Sequence, residues 1–232
     1  MLSDTYEKSL LERYTLCISS VVLLAAGLCF NIWEPLQFWG PESLMPGRMY
    51  AHHETVRFSV VLFGALLIPF VICWIKRVTK QREKPLDTLL VSVFAIALTN
   101  FIVCTLKFAI GKQRPDYADR VSQFTSGKQF LEATRSFPSG HSAVAFACAV
   151  LVAYSVWIVM HKYKHTARHW QLTIFGIVTP FLLASFVALS RIYDGRHDVV
   201  DVSAGVFIAI IVCVLTVNYL GDRQDMYHKW VI

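Results

Sequence analysis

Charge is what this sequence has least of. Only 16% of its 232 residues are Asp, Glu, Lys or Arg, while 55% are hydrophobic and the mean hydropathy is +0.49. A soluble domain of this length needs more polar surface than that, so the question is whether the uncharged residues fall in blocks of membrane length. They do. Tyr14–Trp33, Phe58–Ile75, Thr88–Leu106, Ser142–Met160, Trp170–Ser190 and Val202–Leu220 contain no Asp, Glu, Lys, Arg or His. Each block is 18 to 21 residues long. At about 1.5 Å rise per residue, a helix of that length crosses a hydrocarbon core of about 30 Å. Lipid offers a backbone no hydrogen bonds, which excludes open strands and selects helices. The expected fold is all-α: a polytopic membrane protein with a six-transmembrane-helix bundle. It should form one integral-membrane domain over residues 1–232, with spans near 14–33, 58–75, 88–106, 142–160, 170–190 and 202–220.

Other absences narrow the class further. Internal repeats and low-complexity runs are missing, and no stretch between the blocks is long enough for a separate soluble domain. The six cysteines (Cys17, Cys29, Cys73, Cys104, Cys148 and Cys213) all lie inside apolar blocks, which suits small buried residues and excludes a disulfide framework or a zinc site. The formal charge of +6 is carried by short connections with no basic helical face, so nucleic acid is not an expected partner. The first block follows a polar N-terminal stretch and has no clear small-x-small cleavage site, so it is expected to remain as the first helix.

The connections set the topology. Pro35, Pro41, Pro46 and Gly47 mark the 34–57 segment as a loop and not a seventh span. The loop after the second block carries Lys76, Arg77, Lys80, Arg82 and Lys84, against Arg48 and Arg57 in the loop after the first. Positive charge stays on the cytoplasmic side, so both termini are expected there, and the 107–141 connection is expected on the lumenal or extracellular face of the plasma membrane or an endomembrane. Trp33, Trp39, Trp74, Trp170 and Trp230 fall near span ends, where indole rings favour the interface, and Pro69 and Pro180 sit inside spans.

The polar residues that remain are concentrated at span ends. Lys107 ends the third block and Arg114-Pro115 follows; Pro138-Ser139-Gly140-His141 opens the fourth. Ser190-Arg191 ends the fifth, and His197 and Asp201 lead into the sixth. Alternating spans put all of these on one membrane face. Lys107, Arg114 and Arg191 offer cations to a phosphate, and an Arg can hold its oxygens with a bidentate fork. Ser139 and Gly140 stand where a helix N-terminus presents N–H groups to an anion, Gly140 admitting close approach and Pro138 fixing the entry. The i, i+4 spacing of His197 and Asp201 would place both on one helix face, with the carboxylate fixing the tautomer of a nucleophilic imidazole. His141 is then the natural general acid for the leaving alkoxide.

Singly, each has a plainer explanation. Lys107 alone is a snorkelling lysine, Arg114 or Arg191 a topology charge, His197 with Asp201 a surface pair. Together they are hard to explain that way, because all fall at fixed spacings on one face. Lys112, Lys128, Arg135 and Arg196 are expected as solvated loop charges that could also hold a head group. His52 and His53 read as a surface pair. His161, His165 and His169 have i, i+4 spacing on the opposite face, enough for a weak adventitious metal contact at most.

Lys107-(six residues)-Arg114-Pro115, Pro138-Ser139-Gly140-His141 and Ser190-Arg191-(five residues)-His197-(three residues)-Asp201 resemble the three-part signature of the type-2 phosphatidic acid phosphatases. That superfamily also includes vanadium haloperoxidases and glucose-6-phosphatase. The run Lys112-Gln113-Arg114-Pro115-Asp116-Tyr117 is similar to eukaryotic lipid phosphate phosphatases. The resemblance implies phosphate contacts from Lys107, Arg114, Ser139, Gly140, His141 and Arg191, with His197 as nucleophile, His141 as acid and Asp201 as orienting partner. It implies no metal and no cofactor, and the chain lacks an aspartate pair of the kind that phosphatases use with magnesium. The implied substrate is a lipid phosphate: phosphatidate, lysophosphatidate, sphingosine or ceramide phosphate, or a lipid diphosphate. Two departures stand out: Asp198 follows His197 where animal members often have histidine or an aromatic residue, and no Asn-x-Ser/Thr sequon is present. A lipid phosphotransferase, an inactive lipid-binding member and a transporter are the alternatives. A homo-oligomer is compatible with all of them.

Overall fold

The structure is a computed structural model that describes the backbone of residues 2–36, 47–78, 85–161 and 167–229, and side chains over 10–36, 47–78, 86–160 and 170–219. Among the described residues the elements are all helical: α1 (Leu2–Phe30), α2 (Phe58–Val78), α3 (Pro85–Ile110), α4 (Tyr117–Gln123), α5 (Lys128–Glu132), α6 (Gly140–His161), α7 (Ala167–Tyr193) and α8 (Val199–Lys229). Six of these are long and apolar enough to cross a membrane: Leu10–Phe30, Phe58–Val78, Leu86–Ile110, Gly140–Met160, Trp170–Tyr193 and Val199–Tyr219. The chain is a multi-pass membrane protein. Trp39, Trp230, residues 79–84 of the basic 76–87 connection and the side chains of His161, His165 and His169 lie outside the described residues.

The helices run past the uncharged blocks and take in Lys107, Arg191 and Asp201. Backbone geometry ends them, not charge. Gly111, with φ +61°, stops α3 and donates its N–H to the Lys107 carbonyl at 3.3 Å. Gly195, with φ +65°, turns the chain after α7.

Helix α6 is the centre of the bundle, packed against α2, α3, α7 and α8, while α1 lies on α3 at the periphery. Ile72, Ala95, Ala147, Leu151, Ala209, Cys213 and Val217 form the core where α2, α3, α6 and α8 meet. Ala95, Ala147 and Ala209 are wholly buried, and such small residues let backbones approach where lipid supplies no hydrophobic drive to association. Large apolar side chains face outward instead: Phe63, Phe70 and Trp74 on α2, and Phe175, Leu182 and Phe186 on α7, are more than half exposed. That inversion of a soluble core is what a lipid-facing surface requires. At the end opposite the signature residues, Arg13 grips Asp87 with both Nε and Nη2, at 2.6 and 3.1 Å, tying α1 to α3.

A very close approach joins α6 to α8. A Cβ at Gly205 would fall 2.5 Å from the Ser139 carbonyl oxygen and 3.3 Å from the Ala143 nitrogen, so only glycine fits. This contact presses the start of α6 against the first turns of α8 and so fixes the spacing of two signature segments. Gly205→Ala should therefore cost about 1–3 kcal/mol through overpacking. Gly64→Ala in α2, where a Cβ meets nothing within 4 Å, should be neutral or gain up to about 1 kcal/mol in helix propensity. Thermal melting of both variants in detergent checks the contrast, and a Gly205→Ala protein as stable as wild type would contradict it.

Candidate active site

Three connections meet at one end of the bundle: the α1–α2 loop, the α3–α6 segment with α4 and α5, and the α7–α8 turn. Backbone bonds stitch them together. Arg48 N–H donates to the Pro115 carbonyl at 3.1 Å, and Ser136 N–H to the Lys112 carbonyl at 2.9 Å. The N–H and hydroxyl of Thr55 both donate to Asp194, at 2.9 and 2.5 Å.

Ser139 caps α6. Its hydroxyl accepts the Ser142 hydroxyl at 2.9 Å, and its own N–H donates to the Asp201 carbonyl at 2.9 Å. The Ser139 amide is thus committed to α8 and is not free for an anion, while Gly140 lies against the Lys107 stem. The preceding Phe137–Pro138 peptide is cis. One residue into α6, His141 stands edge-on to Phe58 at 5.0 Å between ring centres. Its Nε2 lies 3.3 Å from Arg191 Nη1 and 3.8 Å from Glu54 Oε2.

Arg191 is wholly buried at the end of α7. Its guanidinium reaches Glu54 at 3.2 Å and Asp194 at 2.9 Å, and its Nε donates to Ser190 Oγ at 3.1 Å. Its carbonyl accepts the N–H groups of Arg196 and His197, which folds the α7–α8 turn back on itself.

His197 is buried just before α8. Its Nδ1 is 3.5 Å from Asp201 Oδ2 and 3.4 Å from Ser136 Oγ. Its Nε2 has no hydrogen-bond partner among the described residues. Burial, then the nearby Arg114 and Lys107, push its pKa down to about 3, against the raising effect of Asp201. The imidazole is therefore neutral at physiological pH. Lys107 Nζ donates to the carbonyls of Arg135 at 2.6 Å and Ser136 at 3.4 Å. Arg114 Nη2 lies 3.9 Å from Glu132, and its buried Nε has no partner among the described residues. Both cations are within electrostatic reach of His141 and His197.

Residues 88–225, from α3 to α8, match the family model described as the PAP2 superfamily. The chain belongs to the PAP2 superfamily. It is 26% identical over 209 residues to Lipid phosphate phosphatase 2 of Arabidopsis thaliana, covering 83% of this chain and 71% of that protein. It is 23% identical over 236 residues to Probable diacylglycerol pyrophosphate phosphatase 1 of Schizosaccharomyces pombe, covering 91% and 83%. A shorter match, 32% identical over 134 residues, relates 57% of the chain to 24% of Lipid A 1-phosphatase of Porphyromonas gingivalis. No solved structure matches the chain.

Lys107, Arg114, Ser139, Gly140, His141, Arg191, His197 and Asp201 all reach this end of the bundle, but several contacts differ from the sequence expectation. His197 and Asp201 do not share a helix face, because α8 starts only at Val199. They meet because Asp198 and Asp201 form a reciprocal cap: Asp201 N–H donates to Asp198 Oδ1 at 3.0 Å, and Asp198 N–H to Asp201 Oδ2 at 3.1 Å. The cap folds the Asp201 carboxylate back over the turn, towards His197. Lys112, Arg135 and Arg196 are not solvated loop charges either; all are buried, whereas Lys128 is exposed. Lys112 bridges Asp198 and Asp201. Arg135 donates to the carbonyls of Asn31 and Trp33 beyond the end of α1. Arg196 stacks on Tyr50, 4.5 Å from its centroid, and binds the Ala51 carbonyl at 2.6 Å. Arg120 covers the same ring at 4.6 Å, and Asp116 bonds Arg120 at 2.8 Å while standing 3.5 Å from Arg196. Burial raises the Asp116 carboxyl to about 6 despite Arg114 and Arg196 nearby. His52 and His53 are exposed, His52 standing edge-on to Tyr50.

Glu54 is the residue that sequence patterns missed altogether, since it belongs to no signature and comes from the first loop. The Asp-x-x-Asp spacing at 198–201 is the sequence signal that could have pointed to the cap.

The depressed pKa of His197 has a sign that melting can check. Folded, the ring stays neutral down to about pH 3; unfolded, it takes up a proton below about 6.5. The associated stability is intact above about pH 6.5 and is lost as pH falls, by up to about 1.4 kcal/mol per pH unit. Between pH 7.5 and 4.5, melting temperatures of wild type should fall more steeply than those of His197→Asn. Parallel curves would contradict a neutral, buried His197.

Proposed function

We propose that this chain is a metal-independent membrane phosphatase of lipid phosphates, working through a phosphohistidine at His197. The observation that carries the proposal is the pairing at His197: Nδ1 faces the Asp201 carboxylate while Nε2 has no partner among the described residues. A neutral imidazole held in that tautomer has its Nε2 lone pair available to a phosphorus atom. Lys107, Arg114 and Arg191 supply positive charge for the equatorial oxygens of the transferring phosphoryl group.

The reaction takes two displacements. His197 Nε2 attacks phosphorus, the bond from phosphorus to the lipid oxygen breaks, and protonated His141 gives its proton to the departing alkoxide. The phosphohistidine keeps a proton on Nδ1, and Asp201 stabilises the resulting cation. Water then attacks phosphorus, His141 takes its proton, and the P–N bond breaks to release phosphate and neutral His197. Substrate charge favours the acid form of His141, because a phosphate dianion offsets Arg191 beside it.

A lipid substrate is supported by the named activities of the relatives and by the rim of the site. Tyr193, Val199 and Val200 flank the α7–α8 turn and are all exposed, offering apolar surface to acyl chains at the depth of His197. The bias of Lys and Arg towards the loop after α2 supports cytoplasmic termini and a lumenal or extracellular site.

Phosphate release from phosphatidate in detergent micelles with excess EDTA tests the chemistry. His197→Ala should lose at least about 1000-fold in kcat, and vanadate should inhibit wild type because it adopts the five-coordinate geometry of the transition state. Equal release by wild type and His197→Ala would sink the nucleophile. Glu54 adds a second check. Its carboxylate sits on Arg191 and beside His141, where it competes with an incoming phosphate. Glu54→Gln should lower KM by about 3- to 10-fold, less than about 1.4 kcal/mol; a higher KM would show that Glu54 assists binding instead.

A further inference from the structure

Lys112 lies outside the PAP2 signature, two residues before Arg114, yet it is the best-enclosed ammonium near His197. Only 6% of its side chain is exposed, and its Nζ donates to Asp198 Oδ2 at 2.6 Å and to Asp201 Oδ1 at 2.8 Å. Both carboxylates are almost wholly buried, with 1% and 0% side-chain exposure. They are also close together, because the cap at the start of α8 makes each bond the other's backbone N–H. Two like charges enclosed side by side repel, and the ordinary relief is for one to take up a proton or turn away. Either outcome would disable Asp201. A protonated or rotated carboxyl cannot hold Nδ1 of His197 in place or balance the charge that forms on the ring.

We propose that Lys112 is a positioning residue for the reaction, acting through Asp201: its ammonium bridges both cap carboxylates and holds Asp201 with Oδ1 on Lys112 and Oδ2 towards His197. Three further contacts complete that orientation. Ser136 donates its hydroxyl to Asp201 Oδ2, the Asp198 N–H does the same at 3.1 Å, and the Lys112 carbonyl accepts Ser136 N–H at 2.9 Å. One residue of the α3–α6 connection thereby sets both side-chain donors that flank the carboxylate.

A lysine that served only as a strut for the 111–116 segment would make the same contacts, so the test must separate charge from packing. The inference rests on the phosphohistidine proposal, and His197→Ala is run alongside. The variants are Lys112→Met, Lys112→Arg, Asp198→Asn and the double Lys112→Met/Asp198→Asn, each purified in detergent and assayed on phosphatidate with the folded fraction measured. Asparagine caps a helix about as well as aspartate, so the double variant removes the surplus charge and keeps the cap. Lys112→Met should lose about 10- to 100-fold in kcat with KM changed less than about 3-fold. Lys112→Arg should keep most of the activity. The double variant should regain at least about 10-fold of what Lys112→Met loses, because one carboxylate needs no bridging cation. Where Lys112→Met does not fold, the double variant compared with Asp198→Asn carries the test: kcat within about 3-fold supports the charge role. A double variant no better than the single, or a fall in stability with kcat per folded molecule unchanged, overturns it. Activity that survives His197→Ala overturns the phosphohistidine instead. Activity that needs His197 but ignores Lys112→Met overturns only the positioning role of Lys112.

Discussion

Donors from two separate connections converge on the carboxylate of Asp201. Lys112 and Ser136 reach it from the α3–α6 connection, the Asp198 N–H from the α8 cap, and His197 from the α7–α8 turn. Its own carbonyl accepts Ser139 N–H at 2.9 Å, so the same residue also seats the cap of α6. The α3–α6 connection is far in sequence from the turn that carries His197, Asp198 and Asp201. A buried carboxylate is costly unless every oxygen is bonded, and that cost makes the arrangement specific. Displacing any one donor leaves the carboxylate short of a hydrogen bond in a buried site.

Packing holds that polar junction in register. Gly205 lets the α8 backbone touch the Ser139 carbonyl, one turn along α8 from Asp201. The alanine-lined contacts deeper in the bundle continue the same close approach of α6 to α8 and α3. At the rim, Tyr50 between the guanidinium groups of Arg120 and Arg196 fastens the first loop to α4 and to the turn that carries His197. Cations stacked on a ring and paired with a buried carboxylate make a rigid joint, not a solvated edge.

The bundle was largely legible in the sequence because membrane spans obey one dominant rule, the exclusion of charge from lipid. Even so, the helices extend beyond the uncharged blocks, since Lys107, Arg191 and Asp201 lie at span ends turned into protein. The signature residues were legible as a set, and the structure brings them together at one end of the bundle. Their individual bonds were not. The meeting of His197 with Asp201 depends on where α8 begins, and a cap is decided by a hydrogen bond rather than by periodicity. Lys112, Arg135 and Arg196 looked like loop charges because sequence does not say which loop folds under another. Glu54 was invisible for the same reason: the α1–α2 loop has no motif, and its bonds to Asp194, Arg196, Pro115 and Asp119 bring it over the site.

The cations at this end divide by what neutralises them. Lys112 has two carboxylates at hydrogen-bond distance, Arg120 has Asp116, and Arg191 has Asp194 and Glu54. Among the described residues, Lys107 is bonded only to carbonyl oxygens, and Arg114 has one carboxylate at 3.9 Å and an unpartnered Nε. Carbonyls satisfy the hydrogen bonds of an ammonium without cancelling its charge. Lys107 and Arg114 therefore leave positive potential without a close carboxylate beside His197. That surplus is the electrostatic ground for the proposed phosphate site. The neighbouring cations, already matched to aspartates, hold the scaffold together.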